Sequence, residues 1–202
     1  GVCAMEMTAW LAGLPHTDRP RCTSEMIASY VRHLNDNSPD DVRQRLIPFV
    51  PRLIDTAAAE PLEQARSEFF AWKAIRVFAP AALRAGRYSK RRARYAERLE
   101  GLTDFWDARK TTERIWNTLR GDRPPQDWSP VIFAARRANE AAQSAYWFAQ
   151  NRDDPFGGAS CITPYDSCPH AAAGAAFHAY LAGDRKIWDT SLSVLDEVLC
   201  LR

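Results

Sequence analysis

The sequence predicts an all-α protein, a single domain over residues 1–202 built as a multi-helix bundle or a helical array of about eight to nine helices. Three observations predict this class. Apolar residues recur at spacings of three and four, capping residues and prolines mark helix starts, and no segment alternates like a strand. A chain of 202 residues is long enough for one well-buried core and short for two.

The helices of the first half follow from caps and breakers. Thr23 or Ser24 caps one helix, and Ser38 followed by Pro39 opens the next. The predicted helices are residues 5–11, 23–34, a segment from 38 that Pro48 and Pro51 kink or break, and 61–79.

The segment 61–79 is the richest in bulky apolar side chains, and these point nearly all round the helix. Such a helix is expected at the centre of the fold. Pro80 marks its end or a kink. The extra apolar face is compatible with a thick core or with a homodimer.

The helices of the second half are separated by glycine and proline turns. The Ser129–Pro130 pair repeats the capping logic of Ser38–Pro39, and the break at 151–168 is the longest in the chain. The predicted helices are a basic helix at 88–100, then 103–119, 130–150, an alanine-rich helix from Pro169 and a last helix from about Arg185.

Composition excludes few functions. The net charge of +2 does not indicate a nucleic-acid or membrane partner. No apolar run approaches the roughly 18 residues that span a bilayer. The five cysteines, an odd number without a recognisable secretion signal, favour reduced thiols and a cytoplasmic location.

Three runs in the first 85 residues carry a family resemblance: 22–24 (Cys-Thr-Ser), 34–36 (Leu-Asn-Asp) and 48–56, from Pro48 to Thr56. They resemble the front half of uncharacterised bacterial all-helical proteins. The alanine-rich back half resembles helical proteins described as immunity proteins. The resemblance implies a helical fold and a protein-binding role, and it brings no catalytic motif.

A cysteine–histidine cluster follows the long break. Cys168 precedes Pro169 and so would lie at a helix start, where backbone N–H groups and the helix dipole lower a thiol pKa. Cys168, with His170 or His178 as base, is therefore a candidate nucleophile. Cys161, Cys168 and His170 are candidate metal ligands. The alternative is a capping-region cysteine with structural or exposed histidines.

The basic helix has four arginines on one face, Arg87, Arg91, Arg94 and Arg98. Such a stripe can bind an acidic protein partner or nucleic-acid phosphates. Acidic residues follow between 97 and 107, so a solvated face with internal pairing is the third interpretation.

Charged residues also occur within the most apolar helix. Glu68 and Arg76 are either paired structurally or line a ligand pocket together with Trp72. The helix after Pro130 has a similar set of charges, Arg136, Arg137 and Glu140.

No phosphate-binding glycine loop, HExxH, GxSxG or Glu-x-x-His motif is present, and no cofactor is strongly implied. The sequence therefore favours a non-catalytic protein-interaction protein of immunity or adaptor type with an acidic partner. The alternative is a small cytosolic enzyme or ligand- or metal-binding protein that uses residues 151–170. Nucleic-acid binding through residues 87–98 comes last because the net charge is low.

Overall fold

The structure, a computed structural model, describes residues 2–85, 88–124, 126, 128–150 and 167–201. Within these ranges the chain forms helices and no strand, which confirms the all-α prediction. The first half comprises α1 (Ala4–Leu11), α2 (Glu25–Asn37), α3 (Asp40–Gln44), a 3-10 turn (Ile47–Phe49), α4 (Val50–Leu53), α5 (Glu60–Lys73), a π-helical turn (Ala74–Phe78) and α6 (Ala79–Arg84). The second half comprises α7 (Lys90–Glu100), α8 (Phe105–Arg120), α9 (Pro130–Gln150), α10 (Ser167–Ala182) and α11 (Ile187–Leu199).

Side-chain caps begin several helices. Ser24 Oγ accepts from the Ile27 amide at 3.2 Å, and the Asp104 carboxylate accepts from the Asp107 amide at 2.9 Å. At Ser38–Pro39 the prediction was one residue early. Ser38 closes α2, and Pro39 is the residue that precedes α3.

Pro80 does not end the long central helix. The π-helical turn lies immediately before Pro80, and the Ala79 amide bonds back five residues to the Ala74 carbonyl. Proline has no N–H for the carbonyl four residues back and its ring crowds that carbonyl, so one wider turn lets the helix continue through α6. Of the two outcomes predicted at Pro80, the end of the helix is contradicted, since α6 continues to Arg84.

The alanine-rich α10 lies at the centre of the bundle. It packs against α2, α5, α6, α9 and α11, and its alanines between 171 and 176 are at most 1% exposed. Small side chains allow these helices to approach closely, so α10 shares the centre with the bulkier segment 61–79. Because helices from both ends of the chain pack on α10, the described part is a bundle rather than an array whose units contact only their neighbours.

A buried ion pair joins three distant parts of the chain. Arg66 Nη1 lies 2.8 Å from Glu63 Oε1 on α5, and it also donates to the Thr56 carbonyl at 2.7 Å. Arg66 Nη2 donates to the Leu201 carbonyl at 3.3 Å, and Ser24 Oγ donates to Glu63 Oε2 at 2.7 Å. One network thus connects the start of α2, the turn after α4 and the end of α11.

Exposed ion pairs connect α11 to the first half of the chain. Arg45 lies 2.7 Å from Asp189, and Arg52 lies 2.6 Å from Asp196. Solvent screens such pairs, so each contributes about 0–1 kcal/mol. Within the described residues, no helix combines the length and the apolar character needed to cross a membrane.

Replacing Arg66 by alanine should lower the free energy of unfolding by about 3–5 kcal/mol, because Glu63 would keep a buried charge without its partner. The control Arg52→Ala removes an exposed pair and should cost less than about 1 kcal/mol. Urea unfolding followed by circular dichroism measures both changes. Equal losses for the two variants would show that the buried pair has no special role.

Candidate functional site

Three histidines from two helices lie in one groove. His170 and His178 occupy the same stripe of α10 as Gly174, at four-residue spacing, and His33 comes from α2. The rings of His33 and His170 meet edge to face, with centroids 4.3 Å apart. We call these three residues and Gly174 the histidine groove.

Arg137 of α9 crosses the histidine groove at Gly174. A Cβ atom at position 174 would lie only 3.0 Å from Arg137 Nε, so glycine lets this side chain approach α10 more closely than alanine would without a shift of Arg137. Arg137 Nη1 and Arg136 Nε each lie 2.8 Å from Glu140. The pairing predicted for these three charges is present.

The groove lowers the proton affinity of two imidazoles. Burial first, and then the charges of His170, Arg137 and His178, lower the pKa of His33 to about 4. Burial also lowers the pKa of His178 to about 4; Arg137 adds to this effect and Glu140 opposes it. The His178 ring stacks on Phe133 with centroids 4.9 Å apart. Both imidazoles are therefore neutral at pH 7.

Cys168 lies inside the core. Its side chain is fully buried, and its Sγ contacts the Ala141 carbonyl of α9 at 3.8 Å. Burial raises the pKa of the Cys168 thiol to about 11, and hydrogen bonds with Ser67 and Ser167 oppose this only in part. The predicted lowering of this pKa was wrong, because α10 begins at Ser167 and the thiol points into the bundle. Desolvation then outweighs the helix dipole.

Two of the three predicted metal ligands, Cys168 and His170, lie within the described residues. Cys161 and the residues of the predicted loop up to 166 lie outside the described residues. Ser167 and Cys168, which were assigned to that loop, belong to α10. Within the described ranges, no three His, Cys, Asp or Glu side chains lie close enough together to hold a metal ion. The role of Cys161 stays a prediction.

Two of the three residues predicted to line a ligand pocket, Trp72 and Arg76, contact other helices. Trp72 stacks on Phe105 with centroids 4.3 Å apart, and the Arg76 guanidinium lies 5.7 Å from the Trp72 ring centroid. Arg76 Nε also donates to the Glu100 carbonyl at 3.2 Å, while Glu68 accepts from Gln64 on its own helix at 3.1 Å. Trp72 and Arg76 thus join the central helix to α7 and α8.

The basic stripe is exposed on α7. Arg91, Arg94 and Arg98 all face solvent, and Arg87 lies outside the described residues. Ala96 and Leu99 are buried and set the rotation of α7. Arg91 Nε donates to the Tyr95 hydroxyl at 3.1 Å. We call Arg91, Arg94 and Arg98 the basic face.

Two of the nearby acidic residues have other partners. Glu100 pairs with Arg84 of α6, and Asp104 caps α8. Among the residues described, no carboxylate lies within ion-pair distance of the three guanidinium groups of the basic face. The internal pairing that the sequence suggested for this stripe is absent from the described part of the chain.

Sequence reasoning missed His33 and the position of Arg137. A single histidine on an amphipathic helix gives no signal, since only the packing of α2 against α10 brings it to His170. Gly174 was a usable signal, because a glycine within an alanine-rich helix costs stability unless a neighbour needs its space.

No protein-family model, curated protein or solved structure matches this chain. The resemblance of its first 85 residues to uncharacterised bacterial all-helical proteins, and of its alanine-rich back half to helical immunity proteins, stays a prediction. Its function is therefore inferred from the geometry and chemistry of the described residues.

The histidine groove should make the protein less stable in acid. The unfolded chain has ordinary histidine pKa values near 6.5, whereas His33 and His178 have pKa values of about 4 when folded. The unfolded state thus binds more protons, and the free energy of unfolding should fall as pH drops from about 6.5 to about 4. The double variant His33→Gln/His178→Gln should flatten this dependence, as measured by urea unfolding across the pH range. An unchanged slope would contradict the assignment.

Cys168 should resist alkylation in the folded protein. A pKa of about 11 leaves about one thiol in a thousand ionised at pH 8, and the side chain is fully buried. Iodoacetamide labelling followed by peptide mass spectrometry should therefore modify exposed Cys200 first and Cys168 only after denaturation. Rapid labelling of Cys168 in the native state would restore it as a candidate nucleophile.

Proposed function

We propose that this protein is a non-catalytic protein-interaction protein of immunity or adaptor type, and that it binds an acidic partner through the basic face. The observation that carries the proposal is the exposure of Arg91, Arg94 and Arg98 without a carboxylate of the described residues within ion-pair distance. All three are exposed on one side of α7, and no carboxylate of the described residues neutralises them.

Charge distribution favours a protein partner over nucleic acid. The net charge of the chain is only +2, and exposed acids such as Glu97 and Asp107 lie close in sequence to the basic face. A phosphate backbone would be repelled by these carboxylates along its length, whereas a protein surface can place its own charges to suit them.

The rigid backbone of α7 also supports binding of a protein partner by the basic face. The basic face lies on a helix that is anchored through Ala96 and Leu99, so its guanidinium groups start from a fixed backbone. A preorganised surface loses less conformational entropy on binding than a loop does. Arginine is also enriched at the energetic centres of protein interfaces.

The histidine groove is a second candidate site, for a small ligand. The neutral imidazoles of His33 and His178 can accept a hydrogen bond at pH 7, and Arg137 lies between the two histidines of α10. Cys168 does not support a nucleophilic mechanism there, because burial raises its pKa.

Charge reversal should distinguish binding by the basic face from an effect of the protein's net charge. The double variant Arg94→Glu/Arg98→Glu should weaken binding of a fluorescein-labelled oligoglutamate by roughly tenfold, as measured by fluorescence anisotropy at low salt. The control Arg19→Glu/Arg21→Glu makes the same change in net charge at exposed positions outside α7 and should leave binding nearly unchanged.

Two results would contradict the proposal. Equal weakening by both double variants would mean that only net charge matters. Tighter binding to a labelled oligothymidylate than to oligoglutamate, lost steeply with added salt, would assign the basic face to nucleic acid.

A further inference from the structure

A cleft lies beside the basic face, where α7, the end of α8 and the start of α9 meet. Its volume is about 320 Å³. This is at the lower end of the roughly 300–1,000 Å³ typical of ligand pockets, and it suits a single side chain. The cleft is lined by Arg92, Leu119, Arg123, Ser129, Val131 and Ile132.

The cleft combines apolar walls with cationic edges. Val131 and Ile132 are buried in the core between α8 and α9, and Leu119 is half-buried beside them. Arg92 is half-buried on α7, and Arg123 is exposed in the turn after α8. A group that fills this space must therefore offer apolar surface at the bottom and negative charge at the opening.

Arg123 is held in place at the opening. Its Nη1 donates to the Leu119 carbonyl at 2.9 Å, and its own carbonyl accepts from Trp128 Nε1 at 2.9 Å. In the ranges that the structure describes, no carboxylate lies within ion-pair distance of its guanidinium group. A carboxylate from outside would therefore meet an oriented cation.

The cleft and the basic face are neighbours on α7. Successive residues of a helix are about 100° apart, so Arg92 is turned about 100° from Arg91, toward the core. Tyr95 lies between these two directions, and its hydroxyl accepts from Arg91 Nε. The basic face and the cleft thus lie on adjacent sides of α7, within reach of one bound segment.

We propose that the cleft receives an aliphatic side chain from the acidic partner, with the partner's flanking carboxylates placed against Arg123 and the basic face. This inference rests on the proposed function and specifies the partner as an acidic segment with one aliphatic anchor. Charge complementarity selects the flanking residues, and the apolar walls select the anchor.

Two labelled peptides test the anchor directly, Glu-Glu-Glu-Glu-Leu-Glu-Glu-Glu-Glu and the same peptide with serine in place of leucine. The protein should bind the leucine peptide roughly tenfold more tightly, because only leucine buries apolar surface in the cleft. Fluorescence anisotropy measures both dissociation constants.

Variants of the cleft should reduce this preference. Leu119→Ala removes part of the apolar wall, and Arg123→Glu, at an exposed position, places a like charge at the opening. Each should bring the two dissociation constants close together. The control Arg114→Glu, at an exposed position on α8 that does not line the cleft, should keep the preference. Circular dichroism confirms folding, and Arg123→Glu decides the result if Leu119→Ala does not fold.

The outcomes separate the two proposals. Equal binding of both peptides by the unmodified protein, still lost in Arg94→Glu/Arg98→Glu, overturns the cleft inference and leaves the basic face in place. A leucine preference that persists in Arg123→Glu also overturns it. If neither peptide binds, the proposed function itself fails, and the inference fails with it.

Discussion

The buried pair of Arg66 and Glu63 is the constraint on which the arrangement of the helices depends. Removing two charges from water is costly, and the cost is offset only if the remaining hydrogen-bond positions are also filled. Here groups far apart in sequence fill several of them, namely Ser24, the Thr56 carbonyl and the Leu201 carbonyl, while Arg66 Nε is buried without a hydrogen-bond partner among the described residues. These bonds form only when α2, the turn after α4 and the segment that follows α11 all reach α5.

The central position of α10 follows from that arrangement. With α2 and α5 held side by side, the remaining space is narrow, and alanines between residues 171 and 176 fill it. The absence of a side chain at Gly174 likewise lets a charged side chain, that of Arg137, pack closely against α10. The close approach of α2 and α9 to α10 then places His33, His170 and His178 in one groove, and their partial burial keeps two of them neutral.

The proposed binding surface depends on a different part of the fold. Ala96 and Leu99 pack into the second cluster of core residues, which α7 shares with α8 and α9, and this contact turns Arg91, Arg94 and Arg98 outward. The turn after α8 contributes the cleft, because Trp128 and Leu119 orient Arg123 at its opening. Arg91, Arg94, Arg98 and Arg123 are exposed, so substituting these arginines removes no side chain from the core.

The sequence by itself determined the all-α class, most helix starts, the basic stripe and the pairing of Arg136 and Arg137 with Glu140, because caps, periodicity and short-range pairs depend on residues within a few positions. Only the tertiary structure decided that Cys168 points into the core, that His33 meets His170, and that Arg66 joins Thr56 to Leu201. These features depend on contacts between distant segments and on burial. Neither spacing nor composition encodes the desolvation that raises the pKa of Cys168 and lowers those of the histidines.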